Sequence, residues 1–305
     1  MKIMMKVRMN KMGYINKADE YCKEILTKIL NEGCLDIDPR PKWSDGTPAH
    51  SLSINGFMCQ YDLSKGELPL MTLRPVAVKS GIKEVLWIYQ DQTSDLDVLE
   101  NKYGVNWWSE WSLAELNEEG HRTIGATYGQ IVKDHDLMNR YVLDSIANNP
   151  DSRYHILTLW NPQEQLKPHG LKPCAMQTQF MVRHGKDGKT YLDSSLYQRS
   201  CDYLTAASGI NAIQYAVFNM LVAHHFGYES GVFSHFMMNI QIYDRHIPIA
   251  KEILKRESIE MYPKIIINPE KRNFYDITMD DIKIEGYDIK KINEINPQVT
   301  LEVAV

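Results

Sequence analysis

Cys174 closes the segment Leu171-Lys-Pro-Cys174, and Arg199 lies downstream in Leu196-Tyr-Gln-Arg-Ser-Cys-Asp202. A cysteine attacks carbon only as its thiolate, and a nearby guanidinium both lowers the thiol pKa and holds an anionic substrate beside it. The pair therefore suits nucleophilic chemistry on an anion. Burial in a core is the competing reading, because free cysteine is among the most buried residue types. Period-two alternation places Cys174, Met176, Thr178, Phe180 and Val182 on one mostly apolar face. Glu84 lies beside Val85, Leu86, Trp87 and Ile88, and burial there would raise a carboxyl pKa toward the range useful for proton transfer. A solvated helix surface is its alternative. Between Met238 and Tyr243, alternation turns Asn239, Gln241 and Tyr243 to one side, where neighbouring polar groups can meet the same ligand.

Several elements must hold these groups. Cys22, Ile25, Leu26, Ile29 and Leu30 recur at helical spacing, which predicts an amphipathic helix over 17–31 with Gly33 as its C-cap. Leu52-Ser-Ile54, Asn55-Gly56 and Phe57-Met-Cys-Gln-Tyr61 read as a β-hairpin. A helix is expected over 76–90, and polar loops with a short helix over 101–136. A helix over 138–148 precedes strands over 154–160, 174–183 and 191–201. The remainder reads as a long helix over 211–226, one strand over 232–243, a helix over 247–256 and short strands near 265–267 and 281–284. Strands in runs with helices between them predict an α+β fold. No repeat or linker divides the chain, so 17–305 reads as a single domain behind a frayed extension, 1–16.

The 305 residues carry a net charge of −5, which gives no overall electrostatic footprint for nucleic acid or an acidic membrane. An anionic small substrate then needs a local arginine cluster. The five cysteines (Cys22, Cys34, Cys59, Cys174, Cys201) show no CxxC pair, so neither a disulfide framework nor a zinc ribbon is expected, and a reducing cytoplasm fits best. The basic, methionine-rich start lacks the apolar run of a signal peptide. No apolar stretch is expected to approach the roughly 20 residues that span a bilayer. There is no HExxH, P-loop or GxGxxG, and no metal is called for.

Further segments carry a resemblance: Arg40 with Asp45-Gly-Thr47, Lys83-Glu-Val-Leu-Trp87, Trp108-Ser-Glu-Trp111, Tyr128-Gly129, Asp151-Ser-Arg153, Asn211 with Tyr215, Ile242-Tyr-Asp-Arg-His246 and Glu302-Val-Ala-Val305. With the Cys174 and Arg199 segments, they resemble thymidylate synthases, in that family's order, from about Ala18 to Val305. The resemblance implies a layered fold around a mixed, bent sheet whose exposed face packs on a second subunit. The implied reaction methylates dUMP at C5 to give dTMP, with 5,10-methylenetetrahydrofolate as co-substrate donating both carbon and hydride.

It also implies roles. Cys174 attacks C6 of the uracil ring, and Glu84 and Tyr128 handle protons. Arg40, Arg199 and Ser200 grip the phosphate together with Arg153 from the partner subunit, since forked guanidinium donors suit phosphate. Asn211 reads the pyrimidine edge, and Asp202 touches both pyrimidine and folate. Gln241 and Tyr243 bind the sugar hydroxyl. Trp108 and Trp111 shape the folate wall, and the terminal Ala304 and Val305 close over the ligands. Without the resemblance, Asn211 reads as a helix N-cap and each arginine as a solvated charge.

Three departures from the family pattern stand out. Tyr154 replaces a second phosphate-binding arginine, which removes roughly ten- to a hundredfold in affinity unless His155 or Arg122 compensates. Gln241 replaces a histidine. Thr205-Ala-Ala-Ser-Gly-Ile210 is one residue longer than the usual loop before the asparagine. The rival readings are a pyrimidine-nucleotide hydroxymethylase on the same fold and a nucleotide- or RNA-binding homologue without catalysis.

Overall fold

The computed structural model describes residues 15–305, so most of the expected N-terminal extension lies outside the described residues. Helix α1 (Lys17–Glu32) starts where the Asn16 side chain accepts from the Ala18 and Asp19 N–H groups. Its buried stripe is Cys22, Ile25, Leu26 and Ile29. It ends at Gly33, whose φ is an ordinary −62°, so space rather than conformation demands glycine. A Cβ there would collide with the Ile29 carbonyl.

Strands β1 (Cys34–Leu35), β2 (Ser51–Ile54) and β3 (Phe57–Asp62) follow. Helices α2 (Val78–Tyr89), α3 (Leu96–Tyr103), α4 (Gly129–Asp134) and α5 (Asp144–Asn148) precede β4 (Ile156–Thr158), β5 (Ala175–His184), β6 (Thr190–Gln198) and β7 (Cys201–Asp202). Then come α6 (Ala212–Phe226), β8 (Glu229–Met237), β9 (Ile240–Tyr243), α7 (Ile247–Ile253), β10 (Lys264–Ile267), β11 (Ile282–Glu285) and α8 (Ile289–Ile295). The last helix carries no sequence expectation; Asp288 caps it.

A five-stranded sheet runs β3-β8-β6-β5-β4, and a four-stranded sheet runs β1-β2-β9-β7. Both are mixed: β6 pairs β8 in parallel and β7 pairs β9 in parallel, among antiparallel neighbours. The order β3-β8-β6 in one sheet continues as β2-β9-β7 in the other, so the two are arms of one bent sheet. Each strand breaks at the bend, at 55–56, 238–239 and 199–200. Gly56 (φ 75°) and Asn239 (φ 42°) supply left-handed turns there.

The bend corrects two expectations. Asn55-Gly56 does not close a hairpin, because β2 pairs with β1 and β9 while β3 pairs with β8. A type I′ turn needs positive φ at both central residues, and only Gly56 has it. The expected single strand over 232–243 is likewise two strands in different arms. A third correction concerns β5. A register slip between Ala175 and Gln177 resets the alternation, so Ala175 is buried with Thr178, Phe180 and Val182 while Cys174 and Met176 leave that row.

The expected loop over 205–210 is helical. A π-helical stretch, Tyr203–Asn211, runs directly into α6, with Asp202 as N-cap and Asn211 inside the helix rather than capping it. A π-turn is how a helix absorbs an inserted residue, which accounts for the extra residue noted here. The joined helix, Tyr203–Phe226, is long and apolar enough by length and composition to cross a membrane, contrary to expectation. Its most apolar stretch is 78% buried inside the fold, and the helix packs as the core helix against the inner face of the five-stranded sheet. Phe180, Leu192, Leu196, Phe233 and Met237 form that inner face. The outer face leaves Met58, Met181 and Phe236 exposed.

Candidate active site

At the bend, α2, the π-turn, the C-terminal tail and the 107–112 segment enclose a cavity of about 700 Å³. The break after β6 points Arg199 and Ser200 into it, and the break before β5 does the same for Cys174. Arg199 Nε and Nη2 each donate at 2.8 Å, to the Pro173 and Lys172 carbonyls. These bonds hold Nη2 3.8 Å from the Cys174 sulfur. Burial raises the thiol pKa, and the Arg199 and Arg40 charges oppose that rise. Arg40 lines the same wall.

Tyr128 heads α4 with φ at 43°, a left-handed conformation costing a bulky residue about 1–3 kcal/mol. Its hydroxyl accepts the Cys174 backbone N–H at 3.0 Å. The phenol is thereby fixed beside the sulfur, with its own proton free to be donated. Burial keeps that phenol protonated well above its usual range.

Glu84 projects from α2 into the cavity, and burial raises its carboxyl to about 7. Trp107 Nε1 donates to it at 2.6 Å. The Trp108 indole and Gln214 amide turn toward the same carboxyl, yet neither Trp108 Nε1 nor Gln214 Nε2 closes a hydrogen bond. Trp108 packs edge-on against both Trp111 and Tyr128, forming an aromatic wall. Gly170 lies so close to the Trp111 carbonyl that a Cβ would overlap it.

Asn211 also lines the cavity, with Oδ1 accepting from Gln198 Nε2 at 3.0 Å and Nδ2 donating to Gln214 Oε1 at 3.0 Å. Asp202 lines the cavity at the head of the π-turn, where it accepts the Thr205 N–H and burial raises its pKa. Gln241 Nε2 donates to the Tyr243 hydroxyl at 3.3 Å, and both face the cavity. Val303, Ala304 and Val305 form its rim. The tail is docked by paired backbone bonds between Val305 and Lys42, at 2.7 and 3.1 Å, and by Glu302 bonding Ser44 and Arg245.

Every expected site residue but one lines this cavity. Arg153 is exposed outside it. Neither expected substitute for the missing arginine is available: His155 is buried and bonded to Ser145 and the Pro150 carbonyl, and Arg122 is paired with Asp97 and Glu100. Gln198, Gln214, Tyr89 and Tyr215, to which no role was assigned from sequence, also line the cavity. Gln214 had a readable signal, since it is a polar residue in an apolar helix, three positions after Asn211 and so on its face.

A sequence profile described as Thymidylate synthase matches residues 20–304. The chain belongs to the thymidylate synthase family. It is 44% identical over 295 residues to the thymidylate synthase of Streptococcus thermophilus, covering 95% of this chain and all of that protein. The thymidylate synthase of Streptococcus pyogenes serotype M3 is 44% identical over 293 residues, with the same coverage. Among solved structures, thermostable thymidylate synthase A from Bacillus subtilis superposes with a TM-score of 0.80 at 37% identity, covering 94% of this chain and 99% of that one. The thymidylate synthase fold expected from the motifs is therefore the fold observed, an α+β arrangement around a bent mixed sheet.

Proposed function

We propose that this protein converts dUMP to dTMP, a methyltransferase reaction in which 5,10-methylenetetrahydrofolate is the co-substrate. The observation that carries the reading is the meeting in one cavity of the Cys174 sulfur, the Arg199 guanidinium 3.8 Å away, the Tyr128 phenol and the raised Glu84 carboxyl. Arg40, Arg199 and Ser200 take the phosphate, and its arrival brings the pyrimidine C6 to Cys174. The sulfur forms a bond to C6 as thiolate, its proton passing to solvent or a neighbouring base, and the C5–C6 π pair moves to C5. Glu84, protonated or ionised near neutral pH, exchanges protons at the ring oxygen. Tyr128 serves the C5 proton through its fixed hydroxyl. Asn211 reads the base edge, Gln241 and Tyr243 the sugar, and Asp202 touches both ligands.

The wall of Trp107, Trp108 and Trp111 offers an aromatic surface suited to a pterin, and Ala304 and Val305 line the same cavity. When bound, the folate supplies a one-carbon unit and the hydride that reduces it. No step calls for a metal. The hydroxymethylase alternative is not favoured, since the relatives at 44% identity are thymidylate synthases; keeping water from the exocyclic carbon is the task that the docked tail would serve.

Arg153 outside the cavity fits donation to the site of a second subunit. The apolar outer face of the five-stranded sheet, with Met58, Met181 and Phe236, is the surface such a dimer would cover. Residues 17–305 act as one domain, in a reducing cytoplasm that keeps the cysteines free, with neither a membrane nor a nucleic acid required. The deciding experiment is incubation with dUMP and methylenetetrahydrofolate and identification of the nucleotide by mass. dTMP is expected; 5-hydroxymethyl-dUMP would replace this reading with the hydroxymethylase.

A further inference from the structure

A chain of side-chain amides runs from the inner sheet face into the cavity, and its direction is fixed. Gln198 Nε2 lies 3.2 Å from the Ser200 carbonyl, an atom that only accepts. The nitrogen of that amide must therefore face Ser200, and it also donates to Asn211 Oδ1 at 3.0 Å. Its oxygen faces His235 Nε2 at 2.8 Å. His235 is buried and burial lowers its pKa to about 3, so the ring is neutral and carries its proton on Nε2. With Oδ1 accepting, Asn211 presents Nδ2 to Gln214 Oε1 at 3.0 Å. What remains is Gln214 Nε2, in a residue only 3% exposed that lines the cavity; it turns toward the Glu84 carboxyl without closing a hydrogen bond. A buried donor with no closed bond is costly, and since Glu84 does not complete it, the geometry leaves room for a partner that arrives with the ligand.

We infer that Gln214 is a second specificity-determining residue for the pyrimidine, its Nε2 acting as a donor of fixed direction that accepts a ring carrying oxygen at C4 and disfavours one carrying an amino group. The oxygen is met directly or through one bound water. The inference rests on the proposed reading that a pyrimidine nucleotide occupies this wall beside Asn211. A cytosine C4 amino group would set donor against donor at Gln214. Flipping the Gln214 amide to avoid this would set its Nε2 against the Asn211 Nδ2 donor. Relieving that clash by flipping Asn211 would set its Nδ2 against Gln198 Nε2, two donors, and flipping Gln198 in turn would set its oxygen against the Ser200 carbonyl. The chain thus resists the adjustment that a lone amide makes freely.

The test is the ratio of dissociation constants for dCMP and dUMP, measured by calorimetry on the full chain. Gln214→Met keeps the length and removes the donor; Gln214→Glu puts an acceptor in its place. The expected result is about a tenfold loss of dUMP affinity in Gln214→Met with dCMP affinity unchanged, so that the ratio falls about tenfold, the size of one hydrogen bond. Gln214→Glu is expected to lower the ratio further. Equal weakening of both nucleotides in both variants, with thermal stability retained, would assign Gln214 a merely structural role and overturn the inference. Wild-type dTMP formation tests the synthase reading separately, because the ratio is read from binding alone.

Discussion

Burial lifts the Glu84 carboxyl from 4.5 to about 7, and this shift has a sign for stability as well as for catalysis. Between those values the folded protein holds a proton that the unfolded chain has lost, so the contribution of Glu84 to stability is fully present below pH 4.5 and falls as pH rises to about 7. At about 1.4 kcal/mol per unit the loss is of order 3 kcal/mol. Denaturant unfolding should show the wild type losing stability relative to Glu84→Gln between pH 5 and 8; a constant difference would contradict the burial argument. For Cys174 the shift is also upward, so alkylation of a Cys34→Ser variant, whose other thiols except Cys174 are buried, should still be accelerating at pH 9. Arg199→Ala should slow it, and an unchanged rate would remove the guanidinium from the account. Tyr128→Phe should reduce kcat by roughly 10²–10⁴ with little change in dUMP affinity. The chemistry of Cys174, Arg199 and Glu84 was legible because residue type and neighbours announce it. The Gln198–Asn211–Gln214 chain was not, because amide direction depends on contacts between separate elements.

At the scale of elements, the bend in the sheet does the positioning. Three strands break together, and the break at 199–200 turns Arg199 and Ser200 into the cavity. Alternation along a strand cannot reveal such a break, which is why 232–243 read as one strand and 52–61 as a hairpin. The π-turn had a trace in sequence, an extra residue before Asn211, but glycine and serine there suggested a loop. The tail is the other positioning element. Deleting Val305 removes both backbone bonds to Lys42 and should raise KM for the folate about tenfold or more while leaving dUMP affinity within about twofold. Glu302→Ala, which loosens an exposed latch, should raise it only about two- to fivefold. Equal effects on both ligands would show that the tail supports the whole cavity rather than the folate side.

For the whole molecule, the α+β class and the order of most elements followed from hydrophobic period, while the docking of α6 on one sheet face and the bareness of the other appear only in three dimensions. Mixing Cys174→Ser with Arg153→Ala protein should restore about a quarter of wild-type activity, since half the dimers are mixed and each carries one intact site. No restoration after subunit exchange would mean that Arg153 serves its own chain or no site at all. Phe236→Lys on the bare face should yield inactive monomers by sedimentation. The most direct test of the account is the stoichiometry of turnover, with dihydrofolate followed by absorbance and dTMP by mass in one reaction. One dihydrofolate per dTMP is expected from the wild type, and neither product from Cys174→Ser. Nucleotide product without dihydrofolate, or undiminished turnover in Cys174→Ser, would contradict it.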